Sequence, residues 1–253
     1  MSGFRYPTVT SALVEEGVRA IRLNRPARLN AMNRQLISDV AQAFEDANRD
    51  QETRCVIFTG EGRAFCAGDD RHEHVHPENE EAARDLVDAI QQATRAIVFG
   101  SKPVVGAING WAVGGGFEWA LNCDFSIWAE GAKGFFPEVS LNLFVTGGVT
   151  ALLPAVVGLT KAREMLLLGE HYEASQLVQL GLAWKAVPQE QLEGEALALA
   201  RRLAALPPLA VRAMKRTLNA TGASDLHRAL QLETDATVAG FLDPETTRRL
   251  KDF

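Results

Sequence analysis

"GWAVGGGFEWA", residues 110–120, sets three consecutive glycines in front of an apolar run that carries one glutamate. Glycine is the poorest ordinary helix former, at about 1 kcal/mol per interior position relative to alanine. Gly114, Gly115 and Gly116 therefore mark a turn that opens a helix, with Glu118 on its first turn. Three explanations compete. A phosphate loop would need G-x-G-x-x-G or the Walker pattern, and neither is present. A packing role is served because glycine lets a strand and a helix approach closely. A chemical role is served because a helix start leaves backbone N–H groups unpaired at its positive end, which suits a developing oxyanion.

Outward from this turn the pattern alternates. Val104–Ile108 reads as a strand before it and Phe125–Ala129 as a strand after it. Upstream, Val18–Leu23 and Cys55–Thr59 read as strands. Gln35–Ala47, with Asn33 as N-cap, and Glu80–Val98 read as amphipathic helices. Strands alternating with helices define an α/β class. Downstream lie a short helix, Ala174–Leu180, and a last strand, Trp184–Val187. From there only helices are expected, at about 191–206, 209–220 and 224–240. The expected division is an α/β core over 1–190 and a helical region over 191–253.

The 253 residues are 47% hydrophobic, enough for a full core. A net charge of −6 argues against a nucleic-acid partner. Cys55, Cys66 and Cys123 are odd in number and set in apolar runs, as reduced thiols of a cytoplasmic protein are. No run is apolar enough for a membrane span, and the N-terminus lacks a signal peptide's apolar stretch.

Two further segments bear on the chemistry. "GRAFCAGDD", 62–70, ends a strand-like run with small residues, so it can offer a second backbone N–H to the same oxygen. "FFPEVSLN", 135–142, sets Glu138 among aromatics, where a carboxyl's pKa rises and it becomes a usable acid or base.

Together with "LNRPARLNAM" (23–32), "KPVVGAINGWAVGGGFEWALNCD" (102–124) and "ASQLVQLGLAWKAVP" (174–188), these segments resemble, in order, the signatures of the enoyl-CoA hydratase/isomerase (crotonase) family. The similarity covers nearly the whole chain. It implies a crotonase-like spiral of ββα turns with a helical C-terminal trimerisation region, and assembly as a trimer or a dimer of trimers. It implies an oxyanion hole from the amides of Ala67 and Gly115, and the catalytic pair Glu118 and Glu138. Substrate and CoA contacts fall on Arg25, Arg28, Ala31, Arg63, Cys66, Gly68, Asp70, Gly114, Phe144 and Thr146, with Asp70 also bracing its loop. No metal or redox cofactor is implied, and coenzyme A enters as the thioester substrate. The expected reaction is reversible addition of water to a trans-2-enoyl-CoA. The alternatives are double-bond isomerisation, another thioester reaction such as hydrolysis or decarboxylation, and a non-catalytic acyl-CoA-binding protein.

The chain departs from the family after Glu138. The family's L-G-x-x-P-G-x-G-G becomes Leu141-Asn142-Leu143-Phe144-Val145-Thr146-Gly147-Gly148, which adds bulk where hydratases position water. The C-terminus is short, leaving Arg248, Arg249, Lys251 and Phe253 for the CoA contacts the family makes there. Trp111, Phe117, Trp119, Phe135 and Phe136 are expected mostly in the core. His72, His74 and His76 alternate, but no second cluster supports a metal, so a solvated loop is expected.

Overall fold

In the computed structural model, which describes residues 4–74, 76–222 and 225–252, two sheets share the chain's strands. The order is β1 (Phe4–Arg5), β2 (Val9–Glu15), β3 (Val18–Leu23), α1 (Arg34–Arg49), β4 (Cys55–Gly60), β5 (Ala64–Cys66), α2 (Glu80–Val98), β6 (Val104–Ile108), β7 (Trp111–Val113), α3 (Gly115–Asn122), β8 (Phe125–Ala129), β9 (Lys133–Phe135), α4 (Val149–Leu168), β10 (Tyr172–Glu173), α5 (Ala174–Gln179), β11 (Lys185–Val187), α6 (Leu192–Ala204), α7 (Pro208–Thr221), α8 (Leu226–Leu242) and α9 (Pro244–Asp252). The larger sheet runs β1-β2-β3-β4-β6-β8-β11 and the smaller β10-β9-β7-β5.

The chain repeats one move three times. β4, β6 and β8 enter the larger sheet in parallel and β5, β7 and β9 then cross to the smaller sheet; α2 and α3 lead back to the larger sheet, whereas after β9 the chain passes through α4, β10 on the smaller sheet and α5 before β11 rejoins it. This is a spiral of ββα turns. β4 and β6 are buried along their whole length, which is why they read as unbroken apolar runs and not as alternating ones. The register sets Val56 beside Val104 and Val105 beside Phe125. The Asn33 side chain accepts the Leu36 N–H as expected, so α1 begins at Arg34.

The helices after residue 190 divide in their packing. Leu192, Ala196 and Ala200 of α6 join the main core. Val238 and Phe241 of α8 pack on Ala83, Leu86 and Val87 of α2. α9 continues to Asp252, beyond the last helix expected, and both α8 and α9 reach the site. Phe117, Trp119 and Phe136 are core residues, whereas Trp111 is 38% exposed.

Candidate active site

The three glycines do three different jobs. Gly114 caps α3 with φ +52° and ψ −124°, and a Cβ there would lie 2.5 Å from Glu138 Oε1. A Cβ on Gly116 would lie 2.3 Å from the Cys66 carbonyl oxygen. Gly115 is the first helical residue, so its N–H has no intrahelical acceptor. Its side faces the Met32 sulfur, 2.9 Å from where a Cβ would be. Packing and chemistry thus use the same turn.

Glu118 and Glu138 line one cavity of about 110 Å³ with Gly115. A water needs only about 10–15 Å³ of such volume, so a small reacting group and a water fit together. Both glutamates are buried. Glu118 accepts the Thr146 N–H at 3.2 and 3.1 Å and lies 3.1 Å from the Thr146 hydroxyl. Burial pushes its pKa well above the usual carboxylate range. The charges of Glu138 and Glu233 push the same way, and the Thr146 bonds oppose them. Burial lifts Glu138 to about 7. Its Oε2 is buried with no hydrogen-bond partner among the described residues. Glu118 is therefore tethered at both oxygens, whereas Glu138 keeps one oxygen without a partner among the described residues.

The Ala67 amide does not fill the expected role. Ala67 lines the cavity, but its N–H donates to the Leu29 carbonyl at 3.1 Å and is not available to an oxygen bound there. Two positions on, Asp69 forms a parallel bridge with Met32. In that bridge the Met32 N–H donates to Gly68 O and the Asp70 N–H to Met32 O. The Asp69 amide therefore faces the opposite edge, where a Cβ on Gly68 (φ +81°) would lie 2.9 Å from the Val113 carbonyl. Asp69 lines the cavity with Gly115.

Of the expected binding residues, Gly68, Gly114, Phe144 and Thr146 line the cavity. Arg25 does not, because its guanidinium is engaged. It donates to the Ala31 carbonyl, to Asp70 at 2.8 Å and to Glu73 at 2.7 Å, which ties the 25–31 and 70–73 segments together. Asp70, 2% exposed, braces the loop as expected. Ala31 and Cys66 are buried and do not line the cavity, and burial raises the Cys66 thiol to about 12. Arg28 and Arg63 are exposed and off the cavity wall.

The histidine segment is not a simple solvated loop. His72 is exposed, but the His74 side chain is only 9% exposed, 2.9 Å from the Asp69 carboxylate and beside the Phe241 ring. His76 meets the Thr247 hydroxyl at 2.8 Å. Among the described residues no three His, Cys, Asp or Glu side chains group as metal ligands. Arg248 and Arg249 both bind Glu245. Phe253 and the side chain of Lys251 lie outside the described residues. Thr237, Phe241 and Leu250, from α8 and α9, close the cavity, and no motif in the sequence announces them.

The enoyl-CoA hydratase/isomerase family model matches residues 14–247. The chain is 36% identical over 227 residues to 1,2-epoxyphenylacetyl-CoA isomerase from Escherichia coli (strain K12), covering 88% of this chain and 86% of that protein. It is 35% identical over 225 residues to crotonyl-CoA hydratase from Syntrophomonas wolfei, covering 88% and 85%. The crystal structure of an enoyl-CoA hydratase from Mycobacterium avium subsp. paratuberculosis K-10 superposes with a TM-score of 0.89 at 29% identity, covering 98% and 99%. The chain belongs to the enoyl-CoA hydratase/isomerase family. A hydratase and an isomerase stand at nearly equal identity, so the choice of reaction rests on the site.

Proposed function

We propose that the protein is an enoyl-CoA hydratase, adding water reversibly to a trans-2-enoyl-CoA. The observation that carries this is the pair of buried carboxylates, Glu118 and Glu138, on one cavity with the Gly115 amide. In the forward direction the ionised member of the pair takes a proton from water as its oxygen bonds to Cβ. The π electrons move onto the thioester oxygen, and the protonated member gives its proton to Cα, so a 3-hydroxyacyl-CoA forms. The amides of Gly115 and Asp69 hold the enolate oxygen. One such donor is typically worth about 3–4 kcal/mol. Two carboxylates in one apolar site hold a shared proton, which is the state this reaction needs.

Isomerisation is the second reading, favoured by one observation. Thr146 occupies both oxygens of Glu118, which leaves Glu138 to shuttle a proton between Cα and Cγ alone. Turnover of 2-enoyl and 3-enoyl thioesters in H₂¹⁸O separates the two, because only hydration puts the label into the product.

We further infer self-association as a trimer or a dimer of trimers. The apolar faces of α4 and α7 support this, with Leu159, Leu168, Leu209 and Met214 each more than half exposed. Three free thiols fit a reducing, cytoplasmic setting. Among the described residues no helix is long and apolar enough to cross a membrane.

A further inference from the structure

Helix α8 presents Glu233 and Thr237, one turn apart, to the segment 144–150. Glu233 is fully buried. Its Oε2 accepts the Gly148 N–H at 2.7 Å, and its Oε1 accepts the Thr150 N–H at 2.9 Å and the Thr150 hydroxyl at 2.7 Å. Thr237 Oγ1 reaches the Val145 carbonyl at 3.4 Å. On its other side the same segment meets α3, again through residues one turn apart. Glu118 takes the Thr146 amide, and Asn122 Nδ2 donates to the Gly147 carbonyl at 2.9 Å. Residues 144–150 form a strap gripped between two helices, and the part that touches Glu118 sits between the two grips.

Capping α4 alone does not explain Glu233. A Ser, Thr, Asp or Asn at the N-cap would satisfy the first-turn amides locally, but that position is Gly148, with φ +73°. The chain instead places a carboxylate there from a helix far along the sequence, buried, with only amide and hydroxyl donors. No ion pair to it is found among the described residues. A buried charge without a cation is costly.

We propose that Glu233 is a positioning residue for the proton chemistry, holding the strap where Thr146 engages Glu118 and setting a second buried carboxylate behind that glutamate. This rests on the reading of Glu118 as a proton carrier. The groups that face Glu118 are Glu138 on the same cavity and Glu233 behind the strap, with Asp69 and Arg71 on the cavity's wall. Burial, and the two glutamates next, hold Glu118 high. Glutamine keeps one acceptor oxygen for the strap and removes the charge, so in Glu233→Gln the Glu118 titration moves down, whereas release of the Thr146 bonds would move it up.

The test is Glu233→Gln in the full chain, with glutamate side-chain carboxyls labelled with ¹³C. The Glu118 and Glu138 signals are assigned from Glu118→Gln and Glu138→Gln. The Glu118 titration should move to lower pH. With a 2-enoyl-CoA, kcat should fall about tenfold or more, part of the 10²–10⁴ that a placed acid or base supplies, while KM stays within about threefold. An unmoved Glu118 titration, or an unchanged kcat with only a lower Tm, overturns the proposal and leaves Glu233 a helix cap; a shift to higher pH means that Thr146 has released Glu118 and supports the strap. Should Glu233→Gln not fold, Thr150→Val removes one donor from the same grip. It should lower kcat without raising KM, and an unchanged kcat counts against the proposal. The carboxyl titration is read without turnover. If it shifts as expected while Glu118→Gln hydrates at the wild-type rate, the hydratase pair fails and the strap stands.

Discussion

Replacing Gly114 by alanine tests the link between the glycine turn and the chemistry. The residue sits at φ +52° and ψ −124°, which an L side chain avoids. Backbone strain of this kind costs about 1–3 kcal/mol. At roughly 2–4 °C per kcal/mol for a chain this long, Tm should fall by about 2–12 °C. The new methyl would also stand 2.5 Å from Glu138 Oε1, closer than any real contact, so the carboxylate must move. Displacing a placed acid or base should cost about 10²–10⁴ in kcat, far more than the stability loss alone would. The assay is turnover of a 2-enoyl-CoA well below the variant's Tm, alongside a thermal melt. Gly115→Ala serves as the contrast, because its neighbour is the flexible end of Met32 and its φ is not in the left-handed region. It should melt closer to wild type. Wild-type turnover by Gly114→Ala with only a lower Tm would refute the claim that Glu138 carries a proton from this position.

Other outcomes follow from the same geometry. A backbone ester at Asp69 deletes only its N–H and should cost about 10²–10³ in kcat, whereas the same change at Ala67 should spare kcat, since that amide serves Leu29. Glu138 is raised from 4.5 to about 7, so the folded state holds a proton there that the unfolded state has lost, and stability should fall as pH rises from about 4.5 to 7. Melts of Glu138→Gln against wild type should therefore show a relative gain for the variant at pH 8 that is absent at pH 4. If the chain self-associates as proposed, Leu209→Lys with Met214→Lys, on the exposed face of α7, should lower the mass in sedimentation equilibrium from that of a trimer or its multiple towards a monomer's; a monomeric wild type would overturn the proposed assembly, and an unchanged oligomer would move its interface off α7.

The sequence discloses some parts of the molecule better than others, for physical reasons. Glu80–Val98 and Val104–Ile108 read true to their ends, because the helix has one apolar face with Asn79 as cap and the strand is buried throughout. β2 goes unread because its buried positions include Ser11 and its exposed ones Ala12 and Val14, so hydrophobicity does not follow the alternation of burial. α4 goes unread because it is apolar on most sides and interrupted by Pro154 and by Gly158, where the helix breaks. In the site, Glu118, Glu138 and Gly115 follow from local motifs. Which amide of the 67–69 run faces inward depends on pairing with Met32, which no local pattern reveals. Arg25 is expected from the family resemblance as a CoA contact, yet it closes a loop onto Asp70 and Glu73. Glu233, Thr237 and Phe241 come from a helix whose approach to the site is set by packing on α2.

The central claim is that Glu118 and Glu138 act as a pair on water. Product analysis in H₂¹⁸O with a short trans-2-enoyl-CoA, for wild type and for Glu118→Gln and Glu138→Gln, tests it most directly. Wild type should place one ¹⁸O on C3 of a 3-hydroxyacyl-CoA, and each variant, folded as judged by its melt, should lose that activity by about 10²–10⁴ or more. Hydration near the wild-type rate by either variant, or a wild-type product that carries no label on C3, would contradict the account.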